Sequence, residues 1–473
     1  MLFNSVNFFI FFGSLTLCYF ALPYRFRNLF LLASSYFFYM FWNAGYALLL
    51  LFSTAASYGF ALLIEKAPSK KKKRLLFISS LFFNIGLLFV FKYLAFFATS
   101  IQAILKFFAI AVEAPTFNIL LPVGISFFTF RTISCLIDVY RGKMEAERNF
   151  CVFALYVSFF PSLLAGPIDR AVSLIPQLHA RHSIDMPRIC LGARIMLWGL
   201  FKKVVIADRL AIYADSIFNN VPYHTGPSYI VAAYFYTLQI YCDFSGYSDM
   251  AIGCAKILGF DLVQNFNLPY FSTTITDFWR RWHISLSTWF RDYLYIPMGG
   301  SRKGGGGIYV NLLVTMAVCG LWHGASWTFI IWGVLHGCCL CLSRLTLNFR
   351  DAVYQRLQIP SGVVSTMRVV FTFNLVAFLW IFFRANSVHD AVYIVTHFFS
   401  GWPNLFIDPL SLFHGFLGIV VLVCVELLQR LSPKHASPEQ WPLPLRWAAY
   451  YALALSIVLF GVDGGSQFIY FQF

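Results

Sequence analysis

Two histidines carry the chemistry that this sequence can do. The first is His323, in "GLWHGASWTF", with oily runs at 307–321 and 325–345 on either side. An ionisable side chain at such depth is costly to keep and marks function by default. Burial disfavours the charged ring, so the imidazole stays neutral, which is the form a general base needs. Such a base takes a proton from an attacking hydroxyl and returns it to a leaving thiolate. Gly320 and Gly324 let another helix or a substrate chain come close to the ring. Trp322 flanks it, and Trp327, one turn on, can wall a pocket. Ser326 falls on a different part of the helix, and no other nucleophile stands at a useful spacing. Direct transfer with one base therefore fits better than a covalent triad. The competing reading is a core histidine that hydrogen-bonds a backbone carbonyl.

The second is His283, in "DFWRRWHISLSTWFRDYLYIPMGG", residues 277–300. Laid on one helix, Phe278, Trp282, Trp289 and Tyr293 share a face, and Arg280, Ser287 and Arg291 fall elsewhere. This predicts an amphipathic helix at a membrane boundary, ended by Pro297 and the glycines after it. His283 lies at the edge of the aromatic arc. It either caps the polar face at the interface or faces inward, at the mouth of a cavity.

The elements that position these groups are membrane helices. The chain has 473 residues, 59% of them hydrophobic and only 12% charged, with 55 phenylalanines; the mean hydropathy is +0.70. A soluble domain is about a quarter charged. The apolar runs are continuous rather than alternating, which favours helices over a β-barrel. The fold class read here is an all-α polytopic membrane protein, one domain over residues 1–473, with about 11 to 13 membrane segments, some of them re-entrant. The run 307–345 must be two helices or a broken one.

The net charge of +15 is clustered, as in loops of a membrane protein, and no nucleic-acid motif accompanies it. "EKAPSKKKKR" (65–74) is the strongest cytoplasmic signal. It places Arg25 and Arg27 inside and the N-terminus outside. Arg141–Arg148, Arg170–Arg188, and the basic residues of 277–303 (Arg280, Arg281, Arg291, Arg302, Lys303) read as cytoplasmic too. The first run, Val6–Leu22, lacks a basic n-region and a cleavage site, so it reads as a retained span.

Other polar groups read as structural. Asp243 and Asp249, in "YCDFSGYSDMAIG", fall on roughly opposite helix faces, which favours helix–helix hydrogen bonding over an ion site. Arg131 and Asp138 share a face and read as an ion pair, direct or through a third group. "PSLLAGPIDR" reads as a re-entrant element or an interfacial turn. The 11 cysteines lie mostly in apolar runs. His336 with Cys338, Cys339 and Cys341 is the one arrangement that suggests a metal, and buried free thiols explain it better; no metal is expected.

In "MLFNSVNF", "LLPVGISFFTF", "FPSLLAGPI", "YCDFSGYSDMAIG", the 278–300 stretch, "GLWHGASWTFIIWG" and the terminal "FIYFQF", the chain resembles the membrane-bound O-acyltransferases. Within them it is similar to the bacterial branch that acetylates alginate and other extracytoplasmic glycans. The resemblance implies a helical core with a transmembrane tunnel. It makes His323 the catalytic histidine and His283 the second family histidine, toward the cytoplasmic opening. It implies an inner-membrane enzyme with no tightly bound cofactor. The acyl group would come from a cytoplasmic thioester, acetyl-CoA or an acyl carrier protein. It would pass to an extracytoplasmic polysaccharide, often through a periplasmic or membrane-anchored partner acetyltransferase. Trp282, Arg280, Arg281, Arg291, Gly320, Trp322, Gly324 and Trp327 then become candidates for lining the tunnel or binding the donor, the arginines through the donor's phosphates. Peptidoglycan O-acetylation and teichoic-acid D-alanylation are alternatives with the same chemistry. A transporter or flippase is the alternative from another class; it would rest on Asp243 or Asp249 and often shows repeat symmetry, which the sequence lacks.

Overall fold

Helices begin where short polar residues precede apolar runs. Ser5, Asn43, Ser69, Asn149, Thr274, Ser326 and Ser387 each cap a helix by accepting a backbone N–H of its first turn. The computed structural model describes residues 1–110, 120–302, 306–402, 404–432, 438–462 and 468–469. Lys303 and most of the terminal "FIYFQF" lie outside the described residues. Those that are described form helices, turns and loops, with no strand.

In chain order the α-helices are α1 (Val6–Ala21), α2 (Tyr24–Met40), α3 (Ala44–Glu65), α4 (Lys70–Leu88), α5 (Leu94–Phe107), α6 (Ile125–Tyr140), α7 (Phe150–Ser158), α8 (Phe160–Leu163) and α9 (Ala171–His179). They continue with α10 (Met186–Phe201), α11 (Asp208–Phe218), α12 (Gly226–Leu258), α13 (Ile275–Arg281), α14 (Ile284–Phe290), α15 (Gly307–His323) and α16 (Trp327–Leu345). The last are α17 (Leu347–Arg356), α18 (Ser361–Arg384), α19 (Val388–Thr396), α20 (Pro409–Leu431) and α21 (Leu443–Phe460). The chain forms two compact units, Met1–Met196 with Met250–Val263, and Leu197–Asp249 with Gln264–Phe473.

Among the described residues, six helical stretches are long and apolar enough to cross a membrane: Ala44–Glu65, Lys70–Phe107, Trp327–Leu345, Ser361–Arg384, Pro409–Leu431 and Leu443–Phe460. α1 and α15 are apolar but shorter. Other apolar runs read as membrane segments fold as broken pieces; the run 150–166 divides at Phe159 into α7 and α8. The run 307–345 is two helices, as expected.

In the first unit, four basic or polar segments meet at one end. Arg27 donates to the carbonyls of Leu22 (3.0 Å) and His182 (2.5 Å), and Asn28 to that of Leu178 (2.8 Å). Glu65 pairs with Arg148 at 2.5 Å and His179 with Glu147 at 2.7 Å. The loops that the sequence reading put on one side of the membrane thus lie together.

The expected Arg131–Asp138 pair is corrected. Arg131, with no exposed surface, donates to the carbonyls of Tyr156 (3.3 Å), Val157 (3.4 Å) and Pro167 (3.2 Å) and to the Ser162 hydroxyl. Its ion-pair carboxylate is Asp169, at 3.9 Å, whereas Asp138 meets Lys143 at 3.8 Å. The break in "FPSLLAGPIDR" is the reason. It frees buried carbonyls that no helix satisfies, and the guanidinium fork supplies the donors. Gly166 permits that turn, since a Cβ there would sit 2.4 Å from the Ser162 Cα.

Candidate active site

Both histidines of the sequence reading lie in the second unit and both are buried, His323 to 3% exposure and His283 to 0%. His323 is the last residue of α15, and Gly324, in extended conformation, ends the helix. α16 then packs back along α15 at very short range. A Cβ at Gly320 would sit 2.2 Å from the Phe329 carbonyl oxygen, and one at Gly333 2.2 Å from that of Met316. The room left by Gly320 is therefore filled by a helix. At Gly324 a Cβ would meet the Phe329 ring at 2.1 Å. Rings surround the His323 imidazole edge-on, with centroids at 5.1 Å for Trp322, 5.2 Å for Trp332 and 5.3 Å for Phe383 of α18. Trp327, expected to wall the site, starts α16 and is 51% exposed.

The single amphipathic helix expected over 277–300 is corrected. It is two helices, α13 and α14, and a π turn over Arg291–Tyr295, broken at Trp282 and His283. Trp282 is extended (φ −100°, ψ 127°) and His283 left-handed (φ 42°, ψ 56°). A left-handed non-glycine residue costs on the order of 1–2 kcal/mol, so the surroundings must hold it there. Asn265 does much of this. Its backbone carbonyl accepts from the Ile284 N–H at 2.9 Å, and its Oδ1 accepts from the Ser285 N–H at 3.3 Å and the Ser285 hydroxyl at 2.7 Å. Its Nδ2 donates to the Ser248 hydroxyl at 3.2 Å. The amide orientation is thus fixed by the network.

His283 Nδ1 stands 3.3 Å from that Oδ1. An amide oxygen only accepts, so Nδ1 carries the proton and Nε2 keeps its lone pair. Burial holds the His283 imidazole below the ordinary histidine value, so the ring is neutral near pH 7. The inward reading of His283 is the one the geometry supports. Phe244 (4.6 Å) and Trp322 (6.1 Å) meet the ring. Trp322 touches both imidazoles, so the break that buries His283 brings the two histidines against a shared indole.

The remaining candidates divide by depth. Trp282 is 1% exposed, with the Trp380, Phe266 and Phe278 rings at 5.0, 5.1 and 5.4 Å. Arg280 and Arg291 are exposed, and Arg281 is half-buried. Arg281 pairs with Asp277 at 3.0 Å and Arg291 with Asp292 at 2.8 Å. These arginines are surface groups, and two of them already hold a carboxylate.

Sequence reasoning missed three things here. Asn265 sits in an irregular loop with no periodicity to flag it. His336 was weighed only as a neighbour of cysteines; it is fully buried, and Trp279 Nε1–H donates to its Nδ1 at 3.3 Å. Lys202 and Lys203 were passed over. Lys203 lies 2.7 Å from Asp243 and 2.8 Å from Asp208, and Lys202 lies 2.8 Å from Asp249. A doubled lysine inside an oily run was the available signal for these pairs. The two aspartates that a transporter would need are thus each engaged by a buried lysine. The Asp243 Oδ2 also accepts the Ile469 N–H at 2.8 Å.

Comparison with known proteins sets the chain among membrane acyltransferases. The membrane-bound O-acyltransferase family pattern matches residues 144–382. The "Probable alginate O-acetylase AlgI" of Azotobacter vinelandii is 42% identical over 85% of this chain and 79% of its own. The peptidoglycan O-acetyltransferase of Helicobacter pylori is 38% identical over 78% of this chain and 73% of its own. The teichoic acid D-alanyltransferase of Bacillus subtilis is 26% identical over 58% and 71%. With two buried histidines on one indole inside the matched segment, and relatives this similar over most of their length, the chain belongs to the membrane-bound O-acyltransferase family and is a multi-pass membrane O-acyltransferase.

Proposed function

We propose that residues 1–473 work as one bacterial inner-membrane enzyme. It carries an acetyl group from a cytoplasmic thioester, acetyl-CoA or an acyl carrier protein, to hydroxyls of an extracytoplasmic, alginate-like exopolysaccharide. Delivery runs directly or through a partner acetyltransferase. The observation that carries this reading is the His323 imidazole at the end of α15, enclosed by Trp322, Trp332 and Phe383. In that dry wall it acts as the general base. It takes the proton of the acceptor hydroxyl as the oxygen attacks the thioester carbonyl. The C–S bond breaks as the C–O bond forms, and the imidazolium returns the proton to the departing sulfur. His283, buried and with the Trp322 ring between it and His323, lines the donor's side of this point. Water kept from the thioester cannot hydrolyse it.

The test is His323→Ala, read by mass spectrometry of cell-surface glycans. We expect acetyl transfer to fall by about 10²–10⁴-fold with the melting temperature in detergent unchanged. Normal acetylation by that variant would sink the reading. The named relatives support a second reading, the same transfer to peptidoglycan or, as D-alanine, to teichoic acid. Acetate on peptidoglycan muramate, or alanine esters released from teichoic acid, would identify it in the same experiment.

A further inference from the structure

His336 is a buried group that the transfer step does not use. It sits on α16, one turn beyond Trp332, and has no exposed surface. The Trp332 ring lies against both His323 (5.2 Å) and His336 (4.7 Å), so the two histidines flank one indole. The Trp279 indole N–H only donates, so His336 Nδ1 is the acceptor and the neutral ring carries its proton on Nε2. That Nε2 has no hydrogen-bond partner among the described residues, and neither has the Trp332 Nε1. Two buried N–H donors, at i and i+4 on one helix, thus descend from His323 along α16. Buried donors without acceptors are rare in proteins and call for a missing partner.

The chemistry of that partner follows from direction. α16 leaves His323 and returns to the end of the hairpin where α15 starts; Asn311 near that start donates to the Gly300 carbonyl at 3.1 Å. This is the end that the basic residues assign to the thioester donor. We propose that His336 positions the donor, its Nε2–H bonding a carbonyl oxygen on the arm that carries the thioester. Bond lengths put the first amide carbonyl of an extended pantetheine arm roughly 5 Å beyond the sulfur. The ring centroids step 5.2 Å from His323 to Trp332 and 4.7 Å on to His336, so a sulfur lying beside His323 and Trp332 leaves that carbonyl within reach of His336. This rests on the proposed function, since it presumes a thioester that meets His323 from that end.

The experiment compares two small acetyl donors on the detergent-purified enzyme: S-acetyl-N-acetylcysteamine, which keeps the amide carbonyl, and S-ethyl thioacetate, which lacks it. Wild type should prefer the first. His336→Ala should lose that preference by roughly tenfold or more, chiefly through a higher KM, and leave turnover of the second nearly unchanged. His336→Gln keeps an N–H donor and should recover part of the preference. Equal loss on both donors, or an unchanged preference, overturns the assignment and makes His336 a prop for Trp279 or a site for a buried water. A variant too unstable to purify leaves His336→Gln to decide by the same ratio. If wild type uses neither thioester while His323→Ala still abolishes glycan acetylation in cells, the donor reading fails, and the role of His336 with it.

Discussion

At the scale of single residues, the site turns on protonation states set by neighbours. His283 is given a donor at Nδ1 and a lone pair at Nε2 by Asn265, whose own orientation is fixed by Ser285 and Ser248. Burial then keeps the ring neutral. Asn265→Asp tests this arrangement. A carboxylate beside Nδ1 favours the imidazolium, so the His283 pKa rises and the neutral ring is lost at a higher pH on acidification. The acid limb of kcat should move upward in pH, with activity near its maximum only on the alkaline side. A profile superimposable on wild type would show that the His283 protonation state does not matter to turnover.

At the scale of elements, the α15–α16 hairpin and the α13–α14 break build the site. The hairpin is held at glycine distance. Gly320→Ala would push a methyl into the Phe329 carbonyl and part the helices. We expect a loss of about 1–3 kcal/mol in stability, seen as a lower melting temperature in detergent, with transfer reduced because His323 and Trp332 shift together. Gly59→Ala is the control. Nothing lies within 4 Å of a Cβ there, and helix propensity favours alanine. The α13–α14 break works the other way. One continuous helix would leave His283 at the edge of its aromatic arc; with the chain broken at Trp282 and His283, both are buried while Arg280 and Arg291 stay exposed.

At the scale of the whole molecule, the charge pattern speaks to orientation. Lys70 to Arg74 open α4, where positive charge opposes the helix dipole. Helix stability therefore gives no reason for the run, whereas attraction to an anionic cytoplasmic leaflet does. In the first unit the other basic loops meet at the end that holds Glu65. Lys71→Cys should gain no label from a membrane-impermeant maleimide in intact cells beyond that of the parent protein, and should gain it once the cells are opened. Labelling in intact cells would reverse the proposed topology, and with it the side from which the donor enters.

Composition and periodicity alone determined a helical membrane protein, because lipid demands long apolar runs whose backbone is satisfied internally. A histidine in such a run was legible as the candidate for the proposed reacting group, because a titratable ring in oil is expensive. Tertiary structure alone decided the rest. Asn265 reaches His283 across a loop, and the Arg131 carboxylate proved to be Asp169 rather than the in-register Asp138. The inward turn of His283 depends on one left-handed residue within a pattern that reads as a continuous helix. Periodicity reports which residues share a face of a regular element. It carries nothing about partners met across loops or about the one dihedral that breaks the element, and both are fixed by packing.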